Sequence, residues 1–279
     1  MSYRTILSFL PSSTKAPAIA QCAAVMAQAF QARLVGLSIN LDFAVPLAPG
    51  AVMPPEYLEK PDAFHRAERD AIKATLSHVS RARDVESEFR VAVDVRTMVA
   101  DVITQHALSS DLIVMPQATG GEWGPWAELP DRVIINCGRP VFVVPDKLLV
   151  EDVPKRIVVA WTDGPQSARS LFDAIPLCSQ AEVVQVVGIN GTSSGSFSGS
   201  LAIDEVTLSL ARHGVNVEAV TDRREHMNVG HAILEHAREF HADALVMGCF
   251  GHSRFRESIL GGASWTVLNE ATLPVLTSH

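Results

Sequence analysis

The chain has 279 residues, enough for two domains of about 100–150 residues each. Hydrophobic residues make up 47% of it and charged residues 19%, a composition typical of globular proteins with a sizeable core. The formal net charge of −8 disfavours a nucleic-acid-binding protein, because the sequence holds no local basic patch to attract phosphates.

Short apolar runs alternate with segments of helical periodicity along the first half of the chain. The predicted strands are 6–10, 34–39, 89–95, 112–115 and 140–145, and the predicted helices are 17–32, 63–83 and 98–108. Such alternation is typical of an α/β protein, in which helices cover both faces of a parallel sheet.

The same order of segments then restarts, which predicts an internal duplication. Four matches support it: 156–161 with 4–9, 181–190 with 32–41, 243–248 with 111–116, and 273–279 with 139–145. We therefore predict two tandem, five-stranded, doubly wound (Rossmann-like) domains, at 1–146 and 155–279, joined by a short linker. Ligands of such domains bind at the carboxyl ends of the strands.

The stretch 248–264 (GCFGHSRFRESILGGAS) places glycines between a predicted strand and the helix that follows it. Glycines at 248 and 251 allow a tight loop, and the helix start at 261–264 offers backbone N–H groups to an anion. His252 and Arg254 add positive charge. The residues alone leave a second interpretation open, in which the glycines serve only a turn and a close helix–strand contact.

Two common phosphate-binding motifs are absent from the sequence: G-x-x-x-x-G-K-[ST], and G-x-G-x-x-G after the first strand of either half. An ordinary P-loop NTPase or a dinucleotide-dependent dehydrogenase is therefore not expected.

The glycine stretch resembles the signature of the universal stress protein family, G-x2-G-x9-G-[ST]. Gly248, Gly251 and Gly261 match its spacing, and Pro274-Val275-Leu276 matches the usual Pro-Val-Leu of the fifth strand. The resemblance is to bacterial tandem members, strong in the second half and weak in the first. It implies the five-stranded parallel fold and, since many members bind ATP, an ATP site with Mg²⁺ arriving on the nucleotide.

The resemblance also implies which residues hold the nucleotide, with two departures. The family's Asp at the end of the first strand falls on Thr162, with Asp163 one residue later, and the [ST] position is Gly262, with Ser264 in the same helical turn. The implied binding residues are Thr162, Asp163, Val186, Val187, Gly248, Gly251, His252, Arg254, Gly261, Gly262, Ala263 and Ser264. Val186 or Val187 is expected at the end of the second strand, where the backbone meets adenine.

The first half has lost this signature. After Met115 it reads PQATGGEWGPWAELPDR, in which Pro116 replaces the first glycine and the remaining glycines do not restore the spacing. One nucleotide site per chain is therefore predicted, in the second half.

No catalytic or metal site is expected. The sequence has no G-x-S-x-G elbow, and its four cysteines lie far apart, which favours reduced thiols over disulfides or a zinc site. Five histidines are expected on solvated helix surfaces: His213, His226, His231, His236 and His241.

The predicted function is a stress-response nucleotide-binding protein that acts as a sensor or in signalling. Two alternatives stay open: a ligand-free interaction protein with a relic loop, and a slow ATP hydrolase. The halves are expected to pack as an internal pseudo-dimer, and homodimerisation is left open. Without a signal peptide or a membrane span, the chain is expected in the cytoplasm.

Overall fold

The structure is a computed structural model. It describes residues 2–41, 61–94, 99–118, 129–146, 148–189, 199–224, 226–250 and 262–279.

Ten strands form one sheet, five from each half of the chain. The first five are β1 (Thr5–Phe9), β2 (Arg33–Leu41), β3 (Ser87–Asp94), β4 (Leu112–Pro116) and β5 (Val141–Val144). The second five are β6 (Arg156–Ala160), β7 (Val183–Ile189), β8 (Val217–Asp222), β9 (Ala244–Gly248) and β10 (Val275–Ser278). Their order in the sheet is β3-β2-β1-β4-β5-β10-β9-β6-β7-β8.

Within each half all the strands run parallel, but the join between the halves is antiparallel. There β5 pairs with β10, and Phe142 lies opposite Leu276. The predicted fold class is confirmed, and the two halves share one sheet. The domain limits 1–146 and 155–279 stay predictions.

Helices connect the parallel strands and cover both faces of the sheet. In the first half they are α1 (Ala16–Phe30), α2 (Pro61–Ala82), α3 (Val99–Ala107) and α4 (Leu129–Asn136). In the second half they are α5 (Pro165–Asp173), α6 (Ile175–Cys178), α7 (Gly199–Arg212), α8 (Val229–Glu239) and α9 (Ala263–Glu270). None of the helices in the described ranges is long and apolar enough to cross a membrane.

The sheet is buried on both faces, which explains why its inner strands are continuous apolar runs. Every residue of β4, β5 and β10 is buried. Successive residues face opposite layers, so that Phe142 and Leu276 belong to one core cluster and Val143 and Val275 to the other. Both cores therefore continue across the join.

A pair of equivalent aspartates fixes how the two halves correspond. The Asp111 carboxylate accepts hydrogen bonds from the N–H groups of Arg4 and Thr5, at 2.8 and 2.9 Å. Asp243 does the same for Lys155 and the residue after it, both at 2.9 Å. Arg4 is therefore equivalent to Lys155, and the predicted match of 4–9 with 156–161 is wrong by one residue.

The second predicted match is also wrong by one residue, in the opposite direction. Arg33 lies beside Thr5, and Val183 lies beside the residue after Lys155, which is equivalent to Thr5, so Arg33 is equivalent to Val183. The match of 32–41 with 181–190 had paired Arg33 with Glu182 instead. Continuous apolar strands lack the alternation that fixes a register, whereas the matches anchored by Asp111 and by Pro140 are correct.

Candidate functional site

The candidate site lies at the carboxyl edge of the strands of the second half, where β6 lies between β7 and β9. We call this edge the second mouth; its described residues are 161–164, 248–250 and 262–264. In doubly wound sheets this crevice beside the first strand is where ligands bind. The structure thus places Thr162, Asp163 and Gly248 at one edge, as the sequence predicted.

Gly248 is required for packing. A Cβ at this position would collide with the backbone of Gln166 and Ser167 in the first turn of α5, and would lie 2.7 Å from the Gln166 carbonyl oxygen. The end of β9 and the start of α5 approach this closely only because residue 248 has no side chain. The helix–strand interpretation therefore accounts for this glycine.

Of the two candidates after β6, Thr162 is bound to the helix that follows it. Its Oγ1 lies 2.8 Å from Ser167 Oγ, and its N–H donates to the same oxygen at 3.3 Å. Asp163 is exposed, and its Oδ1 accepts a hydrogen bond from Trp161 Nε1 at 3.3 Å. Of the two, Asp163 is therefore the one with an exposed carboxylate, and its contact with a ligand stays a prediction.

Val186 or Val187 was expected at the end of the second strand, but both lie inside β7. The strand continues to Ile189, and the Val187 carbonyl accepts the N–H of Trp161 at 2.9 Å. Gly188 does not end the strand; a Cβ there would lie 2.5 Å from Ile203 Cδ1, so it makes room for α7. Adenine contact through these valines stays a prediction.

Four predicted ligands in the glycine stretch, Gly251, His252, Arg254 and Gly261, lie outside the described residues. The residues on either side of them are joined by a hydrogen bond from the Phe250 N–H to Ser264 Oγ, at 3.3 Å. Ser264 is buried, and this bond holds the start of α9 beside the end of β9.

The start of α9 has the features of an anion site. Gly262 is its N-cap, with φ −58° and ψ 160°, and no side chain caps this helix end. The first intrahelical bond closes from the Thr266 N–H to the Gly262 carbonyl at 3.1 Å. The N–H groups of Ala263 and Ser264 precede that bond and have no partner within the helix. N–H groups without an acceptor in their own helix, together with the helix dipole, favour a negative ligand at a helix start.

His236 corrects the expectation that all five histidines are solvated. It is buried on α8, with Nδ1 2.8 Å from Asp222 Oδ2 and Nε2 3.1 Å from Gln185 Oε1. Burial alone would raise the pKa of Asp222, but hydrogen bonds from His236 and Arg224 lower that pKa below its ordinary value. Within the described ranges no three His, Cys, Asp or Glu side chains cluster as metal ligands.

A cavity of about 870 Å³ lies at the other edge of the second half, between the linker 148–155 and α8. Two pairs of its charged side chains bind each other: His231 with Glu270 at 3.0 Å, and Arg238 with Glu235 at 2.6 Å. The glycine stretch begins at Gly248, at the opposite edge of the sheet, so this cavity is separate from the candidate site.

Comparisons with known proteins agree with this architecture. Residues 154–279 match the sequence model of the universal stress protein family. Universal stress protein Slr1230 of Synechocystis sp. is 25% identical over 150 residues, covering 53% of this chain and 49% of that protein. The chain thus aligns with about half the length of this curated relative.

Two solved structures are similar over nearly the whole chain. A universal stress protein from Archaeoglobus fulgidus has a TM-score of 0.74 at 13% identity, covering 98% of this chain and 95% of that one. A protein of unknown function from Pseudomonas aeruginosa has a TM-score of 0.60 at 15% identity, covering 99% and 92%. At these identities the likeness shows the fold: two doubly wound α/β units in tandem. The match to the family's sequence model assigns residues 154–279, the second half of the chain, as a universal stress protein domain.

Proposed function

We propose that the chain binds an adenine nucleotide, ATP with Mg²⁺, in the second mouth and acts as a sensor or signalling protein. One observation carries the proposal: the uncapped start of α9 is held beside the end of β9 by the Phe250–Ser264 hydrogen bond. This bond supports the proposal because doubly wound sheets bind their ligands at the carboxyl ends of their strands, and the first N–H groups of a helix have no acceptor within the helix.

Three of the described residues have roles in this proposal. The N–H groups of Ala263 and Ser264 bind phosphate oxygens, and the Asp163 carboxylate accepts hydrogen bonds from ribose hydroxyls. The Mg²⁺ ion neutralises phosphate charge and is held mainly by the nucleotide. Gly251, His252, Arg254 and Gly261 stay the predicted remainder of the phosphate site.

A second candidate function is a ligand-free interaction protein, with which the packing role of Gly248 is equally consistent. Because packing against α5 requires this glycine, its match to the family signature is expected with or without a nucleotide. Gly248 therefore does not separate the two functions, and the test has to act on the start of α9.

The first experiment identifies what the protein carries. Protein purified without added nucleotide is denatured, and the released compounds are separated by chromatography and identified by mass spectrometry. The same preparation is titrated calorimetrically with ATP–Mg²⁺, and we expect one site per chain. If folded protein releases no nucleotide and gives no heat on titration with ATP–Mg²⁺, the interaction protein remains as the function. Turnover above a no-protein control in a sensitive ATPase assay would instead favour a slow hydrolase.

Ala263→Pro tests the proposed phosphate contact. Ala263 is the first residue of α9, where proline is tolerated, and Gly262 has the extended ψ that a residue before proline prefers. The change removes one N–H donor and keeps the helix. Since a hydrogen bond to a charged group contributes about 1.5–3 kcal/mol, we expect ATP–Mg²⁺ to bind about tenfold to a hundredfold more weakly.

Val229→Pro is the matched control. Val229 is the exposed first residue of α8, and Asn228 before it has ψ 137°, so proline fits there for the same reasons. This variant should bind ATP–Mg²⁺ like the original protein. Equal affinities in both proline variants would contradict a phosphate contact at the start of α9.

A further inference from the structure

The first half has a cavity of about 240 Å³ at the carboxyl edge of its own strands. We call it the first-half cavity. The residues that define it are Phe9 and Pro11 after β1, Pro116 and Gln117 at the end of β4, and Leu129 and Pro130 at the start of α4. It occupies the place in the first half that the second mouth occupies in the second.

The prolines stand where the second mouth has its polar groups. Because Leu10 donates its N–H to Leu37 as Trp161 does to Val187, Pro11 is equivalent to Thr162. Pro116 ends β4 as Gly248 ends β9.

The third equivalence comes from the last helix of each half. Helices α4 and α9 each have eight residues and begin twelve residues before the strand that follows, so Pro130 is equivalent to Ser264.

These three positions therefore offer a ligand no backbone N–H, since proline has none. A phosphate held by backbone amides cannot bind to such a surface. Lys15 at the rim has its Nζ 3.7 Å from Asp146 Oδ1, so its positive charge is balanced by a neighbouring carboxylate. The walls are mainly apolar, and the site disfavours both a nucleotide and a simple anion.

Gln117 supplies a hydrogen-bond acceptor in this apolar wall. Its side chain is only 8% exposed, and its Nε2 donates to the Ala271 carbonyl at 3.2 Å. Among the described residues no donor reaches its Oε1. Gln117 lines the cavity, so its Oε1 is the polar acceptor in this wall for a ligand N–H or O–H.

We propose that the first-half cavity binds a small, neutral, mostly apolar molecule that donates one hydrogen bond to Gln117 Oε1. The cavity is smaller than the ~300–1,000 Å³ typical of sites for drug-sized ligands, so its ligand has about the size of indole or phenol. This site is independent of the nucleotide proposed for the second mouth, which lies at the opposite edge of the sheet.

Indole is the probe for the first test, on the complete chain by calorimetry and saturation-transfer NMR. We expect saturable binding of one indole per chain. N-methylindole, which has the same rings but no donor, should bind about threefold to tenfold more weakly, the range for one hydrogen bond. Benzoate should bind more weakly than indole, because Lys15 already has an ionic partner. No saturable indole binding, or N-methylindole or benzoate binding at least as tightly as indole, would overturn the proposal.

Ala118→Phe tests the location, because Ala118 also lines the cavity and a phenyl ring there would fill it. Ala211→Phe, on the exposed surface of α7, is the control. We expect at least a tenfold loss of indole affinity in the first variant and none in the second. Saturating ATP–Mg²⁺ should leave indole binding to the original protein unchanged. Indole displaced by ATP–Mg²⁺, or bound equally by both variants, would place the probe elsewhere and overturn the proposal. The comparison of indole, N-methylindole and benzoate and the ATP competition use the original protein. They therefore test the proposal even if Ala118→Phe fails to fold.

Discussion

Gly248→Ala separates the packing role of the glycine stretch from its binding role. The new methyl group would collide with the backbone at residues 166 and 167, atoms that cannot rotate away as a side chain does. Ordinary van der Waals contact begins at 3.4 Å, and the Gln166 carbonyl oxygen would be at 2.7 Å. The start of α5 therefore has to retreat from β9 by about 0.7 Å or more.

The magnitude follows from two opposing effects. Replacing glycine by alanine restricts the unfolded chain and stabilises the fold by about 0.4–1 kcal/mol when no contact is disturbed. Overpacking of a well-packed core destabilises by about 1–3 kcal/mol, and more when the backbone has to move. We therefore expect Gly248→Ala to lower the free energy of unfolding by about 2 kcal/mol.

Urea denaturation followed by circular dichroism measures this change, and Gly164→Ala is its control. Gly164 is the N-cap of α5 with an extended φ of −156°, and a Cβ there would lie 3.7 Å from the nearest atom, Gln166 Oε1. This control should lose less than about 1 kcal/mol, the range for changes at an N-cap. Similar losses in the two variants would refute the close contact between β9 and α5.

Three further predictions concern side chains in the second half. Ser170 Oγ accepts the buried N–H of Ser278 at 2.7 Å, so Ser170→Ala should lower the free energy of unfolding by about 1–3 kcal/mol in urea denaturation; no loss would contradict this bond. The lowered pKa of Asp222 means that its carboxylate stabilises the fold at neutral pH, and that this contribution disappears as the pH falls through the folded-state pKa. Acid denaturation should therefore show Asp222→Asn less stable than the original protein at pH 7, with the difference shrinking below about pH 4; a difference independent of pH would contradict it. Burial raises the pKa of Cys178 to about 12, so iodoacetamide at pH 8 should label it, by mass spectrometry, only after unfolding; rapid labelling of native protein would contradict its burial.

The fold could be predicted from the sequence because burial on both faces makes each inner strand a continuous apolar run. Because of the same property, the sequence does not show which strand residues of the two halves are equivalent. Within 4–9 and 156–161 several alignments are equally apolar, and only the backbone hydrogen bonds of Asp111 and Asp243 distinguish them. Where a polar residue or a proline marks the strand start, as in 111–116 and 139–145, the predicted match is correct.

The candidate site was predictable in part. Glycine spacing identified the edge of the sheet, but it did not show that Gly248 packs against α5 or that Gly188 lies within a strand. Histidine spacing along α8 suggested solvated side chains, whereas His236 bonds to groups on β7 and β8 that are distant in sequence. Contacts between sequence-distant segments decide these details, and local patterns carry little information about them.

The antiparallel join between β5 and β10 determines how the two halves divide their functions. Because strands within a half run parallel and the join reverses direction, the carboxyl edges of the halves point to opposite sides of one sheet. A ligand in the second mouth is therefore out of reach of the first-half cavity. Pro11, Pro116 and Pro130 leave that cavity without backbone donors at the positions equivalent to Thr162, Gly248 and Ser264. The chain should accordingly bind one nucleotide, and binding of two ATP per chain in the calorimetric titration would contradict this assignment.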